Sequence, residues 1–142
     1  MPQLMVEGRL ICNSGRMGLT QMSKTILTVD DSASMRQMIK LSLKGSGHTL
    51  VEAVDGLDGL SKARETQANM VITDLNMPNM NGLGLIRELR KMPAYQGVPI
   101  VFLTTESDDA MKNEAKAAGA TGWITKPFQA EQLLAVVRKV LG

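Results

Sequence analysis

Acidic, hydroxyl and ammonium side chains follow short apolar runs of the sequence at four places. Asp30 and Asp31 follow the first run, Asp74 the third, Thr104 the fourth and Lys126 the fifth. Taken singly, such residues often cap a helix or lie in solvent, but carboxylates brought together repel one another unless a cation binds them. Mg²⁺ prefers hard oxygen ligands of this kind. The pattern therefore favours a magnesium site, provided that the fold brings the three carboxylates together.

The apolar runs themselves are typical of buried strands. Several are rich in Val and Ile, and they lack polar alternation, as do parallel strands that are covered by helices on both faces. We predict strands over residues 25–29, 49–53, 70–73, 100–103 and 122–124. Runs this short require intervening helices to build a core.

Helix-patterned stretches separate the predicted strands. Ser32 is a candidate cap for the first, in which Met35, Met38, Ile39 and Leu43 recur at helical spacing. The other predicted helices cover about 57–66, 82–92, 107–119 and 130–141. Alternating strands and helices predict an α/β, doubly wound (βα)5 fold with right-handed crossovers and a parallel sheet. In such sheets ligands bind beyond the carboxyl ends of the strands, where the polar residues above would meet.

The composition is that of one ordinary globular domain. The chain has 142 residues, of which 44% are hydrophobic and 21% charged, and its formal net charge is +2. Its apolar stretches are too short to cross a bilayer, and no basic run indicates nucleic-acid binding. Cys12 is the only cysteine, so no internal disulfide can form. We expect a cytoplasmic protein with no membrane or nucleic-acid partner.

Residues 1–22 differ from the rest of the chain. They show no sustained periodicity, and Glu7 and Arg9 interrupt any apolar core of a signal peptide. The stretch that begins at Met22 leads directly into the first predicted strand. We therefore expect residues 1–22 to be a disordered leader or an upstream extension, and residues 23–142 to form the folded domain.

Four motifs of the chain resemble the receiver-domain family of bacterial two-component signalling. They are Val29-Asp30-Asp31-Ser32, Thr73-Asp74-Leu75-Asn76-Met77-Pro78, Leu103-Thr104-Thr105 and Lys126-Pro127-Phe128. Their order and spacing are similar to those of the family over residues 23–142. The resemblance implies a flavodoxin-like fold with a five-stranded parallel sheet in the order 2-1-3-4-5. It also implies a cis peptide bond before Pro127.

The resemblance implies a phosphoacceptor and a set of metal ligands. Asp74 would accept the phosphoryl group. Asp30, Asp31, Asp74 and the backbone carbonyl of Asn76 would hold Mg²⁺. These assignments agree with the magnesium site that the carboxylates favour on their own.

The resemblance further implies how phosphorylation would be sensed. Thr104 would donate a hydrogen bond to the phosphoryl group, and Lys126 would pair with it. Trp123 occupies an aromatic switch position, and its indole would move into the volume that Thr104 vacates. This movement would change the surface formed by the fourth helix, the fifth strand and the fifth helix. The alternative for Trp123 is a partly buried core residue without a signalling role.

Among receivers, the chain is most similar to stand-alone chemotaxis regulators, notably over residues 30–36 and 52–56. This similarity implies phosphorylation by a histidine kinase and binding to the flagellar motor-switch protein. Asn76 and Glu106 resemble the residues of chemotaxis receivers that lose phosphate quickly, which predicts a short-lived signal. The alternative is a phosphorelay intermediate that passes phosphate to a histidine phosphotransfer protein.

A third alternative is a Mg²⁺-dependent phosphatase that hydrolyses small substrates through an aspartyl-phosphate. Haloacid-dehalogenase-type enzymes need an Asp two residues after the nucleophile as general acid. The chain has Asn76 at that position, which cannot donate a proton in this role. We therefore expect a signalling protein whose chemistry is confined to its own aspartate, not an enzyme acting on external substrates.

Overall fold

The computed structural model describes residues 23–105 and 109–141, in which strands and helices alternate. The strands are β1 (Thr25–Val29), β2 (Thr49–Ala53), β3 (Met70–Asp74), β4 (Ile100–Thr105) and β5 (Gly122–Lys126). The helices are α1 (Ala33–Ser42), α2 (Gly56–Glu65), α3 (Gly82–Lys91), α4 (Asp109–Ala118) and α5 (Ala130–Leu141). Short 3₁₀ turns, Lys44–Ser46 and Pro93–Tyr95, follow α1 and α3. The predictions for residues 1–22 and for Glu106 lie outside the described residues.

All strand pairs are parallel, and the sheet order is β2-β1-β3-β4-β5. The predicted fold class and strand order are therefore confirmed. Each strand begins at the predicted residue, but the predicted ends of three strands are wrong. Asp74, Thr104 and Lys126 belong to β3, β4 and β5 instead of following them. Their backbones continue the ladder, in which Asp74 pairs with Leu103 and Lys126 with Thr105, although their side chains are polar.

The sheet separates two hydrophobic cores. On one face β1 and β3 pack with α2, α3 and α4, for example through Leu60, Leu85 and Ala115. On the other face α1 and α5 pack through Ile39 and Leu133. β3 is buried along its whole length, as a central strand covered on both faces must be. None of the helices that the structure describes is long and apolar enough to span a bilayer.

Helix α1 buries a narrower stripe than its sequence predicts. Ser32 caps the helix, as predicted, by accepting a hydrogen bond from the backbone of Met35 at 3.2 Å. Ile39 and Leu43 are each 1% exposed, but Met38 is 36% exposed, so Met38 lies outside the buried stripe that the apolar spacing predicts. Met38 precedes Ile39 by one position, which turns its side chain about 100° away from the sheet.

A glycine at the start of α3 allows the helix to approach the end of β3. The backbone N–H of Gly82 donates to the carbonyl of Leu75 at 2.9 Å. A Cβ atom at position 82 would overlap the backbone oxygen of Asp74 and lie 2.9 Å from the Leu75 Cα. Only glycine fits here, and this contact fixes the start of the loop that follows Asp74.

Candidate functional site

Three carboxylates meet at the carboxyl edge of the sheet. Asp30 and Asp31 directly follow β1, and Asp74 ends β3, the strand beside β1. One ligand oxygen from each of the three residues lies within 4.8 Å of the other two. Asp30 and Asp74 are buried, whereas Asp31 is exposed. The structure therefore brings together the three aspartates that the sequence predicts as metal ligands.

Asp30 has an unsatisfied carboxylate oxygen. Its Oδ1 accepts the backbone N–H of Ser32 at 2.9 Å, but its Oδ2 is buried without a hydrogen-bond partner. Burial raises the pKa of Asp30 above its ordinary value; the Ser32 hydrogen bond opposes this shift, and the charge of Asp74 adds to it. A buried anion among like charges is costly without a cation. These residues fit a hard divalent cation, which would give Oδ2 a partner and offset the repulsion.

Asp74 is paired with Lys126. The Nζ of Lys126 lies 3.1 Å from Oδ1 of Asp74, and the backbone N–H of Leu75 donates to the same oxygen at 2.9 Å. The Asp74 side chain is 11% exposed and that of Lys126 is 23% exposed, so the pair is largely shielded from solvent. The Oδ2 of Asp74 accepts no hydrogen bond from the described part of the chain. The peptide bond between Lys126 and Pro127 is cis, as predicted.

Thr104 and Asn76 lie beside this pair in the fold. Thr104 is 3% exposed and comes one residue after Leu103, the register partner of Asp74. Its hydroxyl is 3.3 Å from the backbone carbonyl of Thr105, to which it donates. Asn76 is exposed in the loop after β3. The roles of Thr104 toward a phosphoryl group and of the Asn76 carbonyl toward a metal remain predictions.

Trp123 lies at the surface of β5 and not in a core. The residue is 41% exposed, and its ring stacks on that of Phe102 with 6.1 Å between centroids. Two lysines of α4 approach the ring, with the Nζ of Lys112 at 5.7 Å and that of Lys116 at 5.1 Å from the centroid. The indole is thus partly buried against Phe102 and also contributes to the surface between β5 and α4.

Sequence reasoning missed Arg36, which holds the main chain of Asp30. Its Nη1 donates to the Asp30 carbonyl at 2.6 Å, and its Nε donates to Glu52 of β2 at 3.2 Å. The Arg36 side chain is only 16% exposed. A cation in the first turn of a helix is disfavoured by the helix dipole. That unusual position was the one available signal that Arg36 has a specific partner.

Known proteins share this architecture. Residues 26–138 match the family described as response regulator receiver domain. The Chemotaxis protein CheY homolog of Campylobacter jejuni is 38% identical over 119 residues, which cover 82% of this chain and 92% of that protein. The solved structure of the chemotaxis response regulator CheY4 of Vibrio cholerae has a TM-score of 0.79 and 40% identity, and the match covers 84% of this chain and 99% of that one.

A different kind of relative matches over only part of its length. The DNA-binding response regulator MtrA of Mycolicibacterium paratuberculosis is 39% identical over 117 residues, which cover 82% of this chain and 51% of MtrA. The chain thus spans about half the length of the MtrA relatives that it matches. The chain belongs to the response regulator receiver domain family and is CheY-like.

Proposed function

We propose that this chain is a phosphoacceptor of two-component signalling, in which Asp74 receives a phosphoryl group from a histidine kinase in the cytoplasm. One observation carries the proposal: three carboxylates converge with the ammonium group of Lys126 at the carboxyl edge of the sheet. Membership of the receiver family supports a histidine kinase as the donor. Phosphoryl transfer requires mainly positioning and the neutralisation of charge, which these groups supply.

The metal in this proposal is Mg²⁺. Asp30, Asp31 and Asp74 would hold it together with the backbone carbonyl of Asn76. When bound, Mg²⁺ neutralises the developing charge on the phosphoryl oxygens. The buried Oδ2 of Asp30 supports this assignment, because that oxygen has no hydrogen-bond partner among the described residues.

The two carboxylate oxygens of Asp74 have different surroundings. Oδ1 accepts two hydrogen bonds, and Oδ2 accepts none from the described part of the chain. One of them would hold Mg²⁺ while the other forms the bond to phosphorus; the bond between phosphorus and the donor breaks, and the leaving group keeps the electron pair. Lys126, already 3.1 Å from Oδ1, then pairs with a phosphoryl oxygen. The hydroxyl of Thr104 would give up its hydrogen bond to the Thr105 carbonyl and donate to another phosphoryl oxygen.

The output in this proposal is a change in the surface around Trp123. Movement of Thr104 toward the phosphoryl group would free volume for the indole, and the face formed by α4, β5 and α5 would change with it. We assign this face to the flagellar motor-switch protein, which makes the chain a chemotaxis regulator. The similarity to CheY proteins from two organisms supports this role. Asn76 and Glu106 remain the residues that we expect to shorten the lifetime of the phosphoryl group.

Phosphorylation is tested with acetyl phosphate and MgCl₂. We expect the purified chain to gain the mass of one acid-labile phosphoryl group, and an Asp74→Asn variant to gain none. Asp55→Asn is the matched control, since it removes an aspartate at the cap of α2 and should leave phosphorylation intact. Equal labelling of the Asp74→Asn variant, or no labelling of the natural chain, would contradict the proposal.

The partner is tested separately. The chain is bound to beryllofluoride and Mg²⁺ and offered motor-switch protein or histidine phosphotransfer protein as purified components. Preferential capture of motor-switch protein that depends on beryllofluoride supports the chemotaxis role. Transfer of phosphate to the histidine phosphotransfer protein, without capture of the motor-switch protein, would instead favour a phosphorelay intermediate.

A further inference from the structure

A groove of about 370 Å³ lies between α1 and the edge strand β2. Gln37, Lys40, Leu41 and Lys44 form one wall at helical spacing, with Lys44 in the 3₁₀ turn after α1. His48, just before β2, and Leu50, within it, form the other wall, and the buried Leu43 also lines the groove. The groove lies at the amino end of β2, whereas the carboxylates lie at the carboxyl edge of the sheet.

The groove exposes apolar surface that the described chain does not cover. Leu41 is 61% exposed, the largest exposed fraction among the large hydrophobic residues of the described chain. Leu50 on the opposite wall is partly buried against the core shared by α1 and α5. An isolated exposed leucine needs no explanation. A leucine that lines a concave, partly apolar groove is a feature of binding surfaces.

The groove is bordered by an unpaired sheet edge. β2 pairs with β1 on one side, and no strand among the described residues lies on its other side. Thr49 and Ala53 pair with the β1 side, so the outward backbone groups are those of Leu50 and Glu52. The Glu52 carbonyl already accepts the Nζ of Lys62 at 3.1 Å, so an added extended segment would pair at Leu50, beside the groove. Every second side chain of such a segment would point toward α1 and the groove, about 7 Å apart.

The charge of the groove selects the segment that would fit. The Nζ of Lys40 lies 3.9 Å from a carboxylate oxygen of Glu52, but Glu52 also pairs with the Nε of Arg36 at 3.2 Å. Lys44 has no ion-pair partner among the described residues. The Nδ1 of His48 accepts the backbone N–H of residue 24 at 3.1 Å, so a neutral His48 carries its proton on Nε2. The hydrogen-bond donors of Lys40, Lys44 and His48 thus line the groove together with its leucine side chains.

These observations exclude two other occupants on physical grounds. A second copy of the chain, paired edge to edge, would bring the two sets of lysines together, which is unfavourable. Nucleic acid would use the cations but would leave Leu41 and Leu50 without an apolar contact. We infer that the groove between α1 and β2 binds an extended segment of a partner protein that carries acidic side chains around an aliphatic one.

This surface differs from the one assigned to output. β2 and β5 are opposite edges of the sheet, and α4 covers the face opposite α1. Helix α5 packs on the same face as α1 but contributes no residue to the groove. A partner in the groove can therefore bind at the same time as a partner on the α4, β5 and α5 face. The inference does not depend on phosphorylation, so its failure and the failure of the proposed function are distinguishable.

The test is an NMR titration of the full ¹⁵N-labelled chain with a capped peptide, Thr-Glu-Thr-Leu-Thr-Glu-Thr, at up to millimolar concentration. Threonine favours the extended state, and the alternate residues would place Glu, Leu and Glu toward the groove. We expect saturable amide shifts at Leu41, Lys44 and Leu50. A peptide with Lys in place of both Glu residues should cause none.

Two variants test the groove directly. Lys40→Glu combined with Lys44→Glu should weaken binding of the acidic peptide by about tenfold or more, since two exposed ion pairs are lost and replaced by repulsion. Leu41→Ser should also weaken it, and because Leu41 is exposed this variant should fold normally. The matched control is Arg87→Glu combined with Lys91→Glu on α3, whose side chains are 54% and 72% exposed. This control should bind the peptide as the natural chain does.

Each of the following results would overturn the inference: no saturable shifts, shifts confined to the surface around Trp123, equal binding of the Lys peptide, or full binding by the Lys40→Glu and Lys44→Glu variant. An oligonucleotide that causes the same shifts and is insensitive to Leu41→Ser would show a general anion site instead. Binding that appears only after deletion of residues 1–22 would identify the chain's own first residues as the occupant.

Discussion

Arg36 offers a sharp test of how the site is positioned. Its guanidinium joins the Asp30 carbonyl, at 2.6 Å, to Glu52 on β2, at 3.2 Å. The backbone N–H of Asp30 donates to the carbonyl of Ala53, also on β2, at 3.1 Å. Replacement by methionine keeps a long apolar stem and good helix propensity but removes both hydrogen bonds. The main chain of Asp30 would then be held from one side only.

The contacts set the size of the expected effects. A hydrogen bond from a charged donor contributes roughly 1.5–3 kcal/mol, and this one is little screened because Arg36 is 16% exposed. Glu52 is 38% exposed, so its ion pair adds little. We expect Arg36→Met to lower the free energy of unfolding by about 1.5–3 kcal/mol. Loss of a residue that orients a metal ligand typically weakens metal affinity by about 10–100-fold.

Mg²⁺ affinity and stability are measured separately. Titration of the ¹⁵N-labelled protein with MgCl₂, read at the amides of Asp31 and Leu75, gives the dissociation constant. Urea unfolding gives the stability. Arg87→Met on α3 is the control, because its side chain is 54% exposed and should affect neither quantity. An Arg36→Met variant that loses stability but binds Mg²⁺ as tightly as the natural chain would refute a positioning role.

Two further predictions concern the loops at the same edge. Gly82→Ala should lower the free energy of unfolding by about 1–3 kcal/mol in urea titrations, because its Cβ overlaps the backbone oxygen of Asp74; an unchanged midpoint would contradict the close approach. The backbone N–H of Asp58 and then the side chain of Asn79 lower the pKa of Asp55. Stability from Asp55 is therefore present above its unfolded-state pKa and lost as pH falls through its folded-state pKa. Asp55→Asn should flatten the acid side of the stability profile, and an identical profile would contradict this contact.

The strands could be located from sequence because a parallel sheet buries both faces of a strand. Residues 70–72 are apolar without alternation, and the structure buries all of them. The strand ends were predicted wrongly because polar side chains can continue a strand whose backbone is still paired. Asp74 and Lys126 are polar and form an ion pair, yet their backbones remain in the ladder. Apolar patterning reports side-chain burial and carries no information on where backbone pairing stops.

The candidate site was partly visible in the sequence. The positions of Asp30, Asp31 and Asp74 after apolar runs were sufficient to predict their convergence, since parallel strands end at one edge. The position of Arg36 was not sufficient, because its role arises from contacts with a loop and with the neighbouring β2. The groove beside Leu41 was also invisible, since periodicity places Leu41 off the buried face of α1 but does not show that an exposed leucine lines a groove.

The orientation of Trp123 links the proposed switch to α4. Phe102 covers one side of the indole, while Lys112 and Lys116 approach the ring from α4. Each cation–π contact at an exposed site contributes about 0.5–1 kcal/mol, so moving the indole inward costs about 1–2 kcal/mol unless α4 moves with it. Phosphorylation can shift the equilibrium between the outward and the inward ring only by the free energy by which it stabilises the inward state more than the outward one. A switch that uses Trp123 must therefore either overcome these contacts or carry α4 with the ring, and in the second case the surface of α4 itself becomes part of the signal.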